Sequence, residues 1–372
     1  MFLMTGPNVG NHGVDRGFET MGRLIRCSFC YVILLIVAGC ARGKQKEVTF
    51  PDSNFESLVR GKTGKPKGPI YESDLEPFTS IHASGKRIAD ISGIGGFSNV
   101  DRVSLAGNPI TDISPLSGLP DVWSLNLRST RVTDIGPLRS FTKLRMLDLS
   151  RTPVSDIRPL SALANLSSLD LDSNQIGDIS PLSGLTELQW LVLSGNRIRR
   201  LGPLKNLTKL AGLYLESNWI ADLAPLMGLT ELRDLRLADN RISDVSSLSK
   251  LTGLHTLDLQ GNLVSDIRPL ANLTELKLLH LDDNQIEDIS SLSKLTKIGE
   301  EVTWPPRREG ISIHLGLSHN RISDISPLVD NPGIGKGDGI DLRGNPLSEE
   351  SINKLIPQLQ QRGVNVLYDK PK

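Results

Sequence analysis

The sequence predicts an α/β repeat solenoid in which a parallel sheet lines the concave side and short helical turns form the convex side. Three observations lead to this fold: a 22-residue period through the middle of the chain, alternating apolar and polar residues at the start of each unit, and a Pro-containing segment in its second half. One such unit cannot bury its apolar face alone. Successive units must therefore stack and share a continuous core.

The repeating unit can be written xxLxLxxNxIxDIxPLxxLxxL, where x is any residue. Its first part has the two-residue period of a strand, so Leu169 and Leu171 are expected to point into the core. The Pro that follows lacks an N–H and favours a short helical turn over a second sheet. This is the pattern of the leucine-rich repeat, and it predicts repeats over 79–347, interrupted by an insert at 299–312. Units begin at residues 79, 101, 123, 145, 167, 189, 211, 233, 255, 277, 313 and 338.

Two polar residues recur in the unit. The Asn after the strand carries an amide that can satisfy buried backbone groups of adjacent turns, and Thr130, Thr152 and Lys86 replace it in three units. A Thr hydroxyl makes fewer hydrogen bonds, so we expect looser turns there. The Asp before each convex turn could indicate calcium sites, but its regular placement favours backbone capping. This Asp is found at residues 90, 112, 134, 156, 178, 222, 244, 266, 288 and 324.

Both ends of the array need a cover for the leucine core. Residues 50–78 are expected to form a helical N-terminal cap, since Phe55, Leu58 and Val59 have helical spacing after capping residues. Residues 348–372 are expected to form the C-terminal cap, with an apolar helix face interrupted at Pro357 and a final strand after Gly363. The apolar residues of that face are Ile352, Leu355, Ile356 and Leu359.

Turns such as Asp178-Ile-Ser-Pro-Leu182, together with both end pieces, resemble the internalin-type leucine-rich repeats of bacteria over residues 50–372. The resemblance implies a curved scaffold that binds another protein. The chain has no immunoglobulin-like domain after the repeats and no wall-sorting signal, so we do not expect an adhesin that invades host cells.

The N-terminal region has the pattern of an export signal. Residues 27–41 carry no charge and follow two arginines, and this stretch is shorter than the roughly 20 residues of a membrane-spanning helix. Val37-Ala-Gly-Cys40 resembles the lipobox of bacterial lipoproteins, which implies that Cys40 is acylated and becomes the first mature residue. The alternative is an ordinary signal peptide with an incidental Cys.

This interpretation divides the N-terminal region into a signal peptide at 1–39, with translation starting at Met21, and a lipidated Cys with its tether at 40–49. The expected location is the bacterial cell envelope, with a lipid on Cys40 as the membrane contact. Ala41 rather than Asp follows the Cys, which in lipoproteins favours the outer membrane or cell surface over the inner membrane.

Composition excludes several classes of function. The 42 Lys and Arg balance 42 Asp and Glu, so no net field attracts nucleic acid. The three Cys all lie at or before residue 40, which leaves no disulfide framework. The sequence contains no HExxH or GxSxG motif and no other set of catalytic groups, so we expect neither catalysis nor a cofactor. A monomer is expected.

The candidate binding surface is the concave face, where equivalent strand positions form columns about 4.8 Å apart. Trp190, Val192 and Tyr214 should form one exposed apolar patch, which is typical of an interaction hot spot. The expected ligand is a protein of unknown identity. The alternatives are unselected solvent residues, a carbohydrate that stacks on the two aromatic rings, and a purely structural envelope protein. Six residues flank the patch: Met146, Asp148, Asp170, Asp172, Glu216 and Arg236.

Two weaker candidates lie elsewhere in the sequence. Asp258, His280 and Asp282, with His314 and His319 one strand further, have ligand types that could hold a divalent ion, although surface His beside Asp is common without a metal. The insert could contact a partner, or it could be a tolerated loop. Its candidate contact residues are Trp304, Arg307 and Arg308.

Overall fold

The N-terminal cap consists of two helices and a two-stranded antiparallel sheet. The structure is a computed structural model that describes residues 46–119, 121–300 and 313–370. Strand β1 (Glu47–Val48) pairs antiparallel with β2 (Ile70–Tyr71), and helices α1 (Ser53–Thr63) and α2 (Glu72–Leu75) complete the cap. The sequence did not predict this pair of strands. Residues 47–48, assigned to the 40–49 tether, are therefore part of the cap, because their backbone groups pair with β2.

Asp52 joins this cap to the first repeat. One carboxylate oxygen accepts the N–H groups of Asn54 and Phe55 at 2.9 and 3.0 Å, and the other accepts the N–H of Ala89 at 2.7 Å. Phe55 is fully buried and meets Phe50 edge to face at 5.2 Å. The predicted cap helix therefore closes the N-terminal end of the leucine core.

The repeats form a 13-stranded parallel sheet in which spatial order follows chain order. Each strand pairs with the next in the same register, as Leu169 does with Leu191 and Leu191 with Leu213. The register persists across the insert, where Leu279 pairs with Leu315. This confirms the predicted leucine-rich-repeat solenoid. The strands are β3 (Ser80–His82), β4 (Arg102–Ser104), β5 (Ser124–Asn126), β6 (Met146–Asp148), β7 (Ser168–Asp170), β8 (Trp190–Val192), β9 (Gly212–Tyr214), β10 (Asp234–Arg236), β11 (Thr256–Asp258), β12 (Leu278–His280), β13 (Leu315–Gly316), β14 (Gly339–Asp341) and β15 (Asn365–Leu367).

Short 3-10 turns form the convex side, and in one late repeat the turn becomes the helix α3 (Ser326–Asp330). Every predicted capping Asp accepts the backbone N–H two residues later, at 2.7 to 3.0 Å. The capping interpretation is thus confirmed for all of them. The 3-10 turns span Ile94–Gly96, Ser114–Gly118, Gly136–Ser140, Arg158–Ala162, Ser180–Leu182, Gly202–Leu204, Ala224–Leu226, Ser246–Lys250, Arg268–Asn272 and Ser290–Lys294.

The recurrent Asn joins neighbouring repeats. The amide of Asn218 donates to the carbonyl of Leu193 in the preceding repeat at 3.0 Å, and its oxygen accepts the N–H of Ile198 at 2.9 Å. It also donates to the carbonyl of Leu215, three residues earlier in its own repeat. Thr130 and Thr152 keep only this last bond to a backbone carbonyl, at 2.7 Å.

The C-terminal cap contains the predicted interruption near Pro357. A π-helical turn at Ser351–Leu355 precedes helix α4 (Ile356–Gln361), because Pro357 has no N–H to continue an α-helical ladder. Gly363 then adopts a φ of +84° and leads into β15. In the described part of the chain, every helix is too short or too polar to cross a bilayer.

Replacing Asn218 with Ala should lower the free energy of unfolding by about 2 to 4 kcal/mol, since it leaves buried carbonyls and one N–H without partners. Asn218→Thr should cost less, because Thr130 and Thr152 show that a hydroxyl keeps one of the bonds. Urea unfolding of the three proteins measures the difference. Equal stability of wild type and Asn218→Ala would show that the amide does not hold the repeats together.

Candidate functional site

Trp190 and Tyr214 form an ordered aromatic pair on the concave sheet. Strand pairing places Trp190 beside Gly212 and Val192 beside Tyr214. The indole lies across Gly212, where any Cβ would overlap its ring atoms. The two aromatic rings meet edge to face, with centroids 5.2 Å apart and planes at 74°. Gly212 thus makes room for the indole, and the pair is held in one arrangement before any ligand binds.

Charged neighbours fix the Tyr214 ring. Its hydroxyl donates to Asp234 at 2.7 Å, and the guanidinium of Arg236 lies 4.5 Å from the ring centroid. The same guanidinium reaches Asp234 at 3.3 Å. Burial and the hydrogen bond to Asp234 raise the pKa of Tyr214, so the phenol stays neutral and keeps donating. The aromatic cluster therefore consists of Trp190, Tyr214, Asp234 and Arg236.

The three residues of the predicted apolar patch are neighbours, as expected, but their side chains are less exposed than expected. Trp190, Val192 and Tyr214 are all half-buried, because each lies against a neighbouring strand and the two rings cover one another. Met146 is 46% exposed and lies on β6, separated from β8 by β7. The concave surface therefore presents the side chains of Trp190, Val192 and Tyr214 only in part.

Carboxylates line the face on one side of the aromatic cluster. Asp170 pairs with Val192 on one side and with Asp148 on the other. Burial raises the pKa of Asp170 to about 6, and the charges of Asp148 and Asp172 add to the effect. Its oxygen accepts the N–H of Asp172 at 2.9 Å, which opposes the shift only in part.

On the other side, burial also raises the pKa of Glu216, which accepts a hydrogen bond from the Ser194 hydroxyl, and the pKa of Asp258. The convex turns show the opposite behaviour. Hydrogen bonds from Arg158 lower the pKa of Asp156 to about 2. Among the concave carboxylates, Asp170 is thus the one whose charge responds to mildly acidic pH.

The side chains of the weak metal-site candidate, Asp258, His280 and Asp282, do not converge on one point. His280 lies 4.0 Å from Asp258, but its other ring nitrogen is 3.2 Å from a backbone carbonyl. Asp282 turns away across Gly316 and accepts the N–H and hydroxyl of Ser318 at 2.9 and 2.7 Å. Among the residues described, no group of three or more His, Cys, Asp or Glu side chains could hold a metal ion.

The two further histidines also have separate partners. His314 is buried at 3.6 Å from Asp338, and His319 is exposed at 3.6 Å from Asp283. Cys40 and the insert residues Trp304, Arg307 and Arg308 lie outside the described residues.

Gly212 and Asp234 belong to the site but were not predicted as members of it from the sequence. Both occupy the same strand column as Trp190, on the two following strands. The sequence does show a Gly beside Trp190 in the next repeat and an Asp in the repeat after it. Their roles depend on the orientations of the Trp190 and Tyr214 rings, which the repeat pattern does not specify.

Asp170 should make the fold less stable as the pH rises. Its pKa in the folded state is about 6 against an ordinary value of 3.8, so the folded state binds the proton more tightly than the unfolded state. The free energy of unfolding should fall between about pH 4 and pH 6 and then stay lowered.

Asp170→Asn should remove the contribution of this carboxyl group to the pH dependence and raise stability at pH 7 by about 1 kcal/mol, a value reduced for partial exposure. Urea unfolding from pH 4 to pH 8 measures it, with the same charge change at exposed Asp239 as the control. The same pH profile for wild type and Asp170→Asn would remove Asp170 as the cause.

Comparisons with known proteins agree with this architecture. The family described as Leucine Rich repeats (2 copies) matches residues 124–162, 142–184, 186–226 and 230–272. No curated protein matches the chain.

Solved structures provide closer likenesses. The crystal structure of internalin inlF from Listeria monocytogenes is 32% identical, with a TM-score of 0.78 over 86% of this chain and 91% of that chain. Internalin C2 (inlC2) from the same species is 35% identical, with a TM-score of 0.57 over 59% of this chain and 99% of that chain. The leucine-rich-repeat ectodomain of the Arabidopsis thaliana receptor kinase GASSHO1/SCHENGEN3 is 23% identical, with a TM-score of 0.56 over 69% of this chain and 32% of that chain, and it shares the fold alone. The identity to inlF over most of both chains confirms the predicted resemblance, and this protein belongs to the internalin-like family of leucine-rich-repeat proteins.

Proposed function

We propose that this protein is a non-enzymatic scaffold on the bacterial envelope that binds a protein ligand through its concave face. The internalin-like leucine-rich-repeat fold is that of a protein-interaction scaffold. The observation that carries the concave site is the aromatic cluster, because its rings are oriented by Gly212, Asp234 and Arg236 before binding. A preorganised anchor loses little conformational entropy on binding.

The cluster has the composition of a protein hot spot. Trp, Tyr and Arg are the residues most enriched at such positions, and here they are adjacent and half-buried. The carboxylates Asp148, Asp170 and Asp172 on one side and Glu216 on the other add a polar rim. A ligand with an apolar centre and basic flanks would match this distribution of charge.

The carbohydrate alternative has less support. Stacking on successive sugars favours rings that present coplanar faces, whereas the planes of Trp190 and Tyr214 are 74° apart. Tyr214 also has one face covered by the Arg236 guanidinium. The mixed aromatic and charged surface therefore favours a polypeptide ligand.

Display on the envelope is the second part of the proposal. The lipobox-like Val37-Ala-Gly-Cys40 would place a lipid on Cys40, and β1 begins at Glu47. The six residues between them extend at most about 20 Å. The N-terminal cap would then lie close to the membrane, with the concave face accessible along the array.

The concave site predicts that Trp190→Ala weakens ligand capture at least tenfold, the usual effect of losing a Trp anchor. Gly212→Ala should also weaken it, since a methyl group there displaces the indole without removing it. The assay is retention of proteins from envelope extracts by the immobilised full chain, with folding checked by circular dichroism.

Gly184→Ala and Met227→Ala are the controls. Nothing lies within 4 Å of a Cβ at Gly184, and Met227 is an exposed apolar residue next to a convex turn. Both should retain the ligand. If Trp190→Ala retains the ligand as well as wild type does, the aromatic cluster is not the binding site, and the 299–312 insert becomes the next candidate.

Lipidation predicts that Cys40→Ser moves the protein from the detergent phase to the aqueous phase in a phase-partition experiment, and that the acyl mass is lost from its N-terminal peptide. Cys30→Ser, inside the expected signal peptide, should change neither result. An N-terminal peptide without an acyl group in the wild type would refute the anchor.

A further inference from the structure

The repeat that begins at residue 189 departs from all its neighbours at one position. Arg200 stands where the preceding and following repeats have Asp178 and Asp222. Those carboxylates accept the N–H two residues later at 2.8 Å, and a guanidinium cannot. With Arg in place of Asp, this turn lacks the side-chain cap of the other turns and carries a positive charge instead of a negative one.

Arg200 is part of a basic cleft outside the concave face. Ile198 is fully buried, so its neighbours Arg197 and Arg199 both point outward. Backbone bonds from Arg197 to Ile176 and from Trp219 to Ile198, both 2.9 Å, hold positions 197 and 219 side by side on adjacent repeats. The three arginines and Trp219 line a cleft of about 570 Å³.

The Trp219 ring orients one of these arginines. The Arg199 guanidinium lies 4.7 Å from the ring centroid, and Trp219 is 38% exposed. Stacking on an aromatic face restricts the guanidinium to one plane while its N–H groups stay available. Arg199 is therefore oriented for a ligand.

The cleft carries uncompensated positive charge. Within the described part of the chain, none of its three arginines lies within 4.0 Å of a carboxylate, whereas Arg158 and Arg268 pair with their own turn Asp at 2.6 Å. Asp178 also lines the cleft, but its two oxygens accept the N–H and hydroxyl of Ser180 at 2.8 and 2.9 Å. A net charge of +2 remains on the lining.

We propose that Arg197, Arg199, Arg200 and Trp219 form a binding site for a phosphate group. A multiply charged oxyanion compensates this charge better than a single carboxylate does, and the planar guanidinium forks match its oxygen geometry. The site is separate from the concave face and does not depend on the proposed function.

The test is titration of the full chain with inorganic phosphate at constant ionic strength, followed by calorimetry and by tryptophan fluorescence. Saturable binding is expected in the wild type. Arg200→Asp restores the sequence of the other repeats, so it should keep or raise the melting temperature while weakening phosphate binding at least tenfold. Arg131→Ala, an exposed Arg at the position equivalent to Arg197, is the matched control and should bind as wild type does.

A second experiment distinguishes a lipid headgroup from a soluble phosphate ester as the ligand. Co-sedimentation uses phosphatidylcholine vesicles with and without phosphatidic acid. Vesicle binding that phosphatidic acid increases over phosphatidylcholine alone, with the increase lost in Arg200→Asp, supports the site and assigns it to lipid headgroups. Phosphate binding without such an increase supports the site for soluble phosphate esters. Absence of saturable phosphate binding in the wild type, or equal binding by Arg200→Asp, overturns the proposal.

Discussion

A 22-residue unit exposes its leucines unless another unit lies against it, and every other feature of this protein depends on that constraint. Leu169, Leu191 and Leu213 are fully buried only because their strands are adjacent and in the same register. The Asn amides add a polar counterpart, since each hydrogen-bonds its own repeat to the preceding one. Apolar burial and buried hydrogen bonding thus select the same stacking geometry.

Because the register is constant, equivalent residues of successive repeats form continuous columns on the surface. Equivalent positions lie one strand apart, so the size of one side chain decides how its neighbour can turn. Trp190 extends over Gly212, and in the same way Asp282 extends over Gly316 to reach Ser318. In the first case the result is an oriented aromatic pair. In the second it is a carboxylate committed to the backbone, which removes it from any metal site.

Particular aspartates on the two sides of the solenoid have pKa values shifted in opposite directions. On the convex side, Asp156 and Asp266 accept hydrogen bonds from a neighbouring Arg and remain near water, so their pKa values are lowered. On the concave side, Asp170 and Asp258 lie between parallel strands, where burial disfavours the charge. The exception on the convex side is Arg200, which interrupts the row of carboxylates and leaves a local positive charge between Asp178 and Asp222.

The sequence by itself determined the solenoid, its register, the capping role of the turn Asp residues and the two end caps. The reason is that these depend on local periodicity repeated many times, so each unit confirms the others. The columns also followed, which is why Trp190, Val192 and Tyr214 were expected to be neighbours. Only the tertiary structure decided how side chains are oriented within a column. The position of the Trp190 indole depends on the space that Gly212 leaves free, and the orientation of the Tyr214 hydroxyl depends on its hydrogen bond to Asp234, one strand away. The pairing of β1 with β2 was also decided only by the tertiary structure, because two-residue strands carry no periodic signal and helix α1 separates the two segments in the chain.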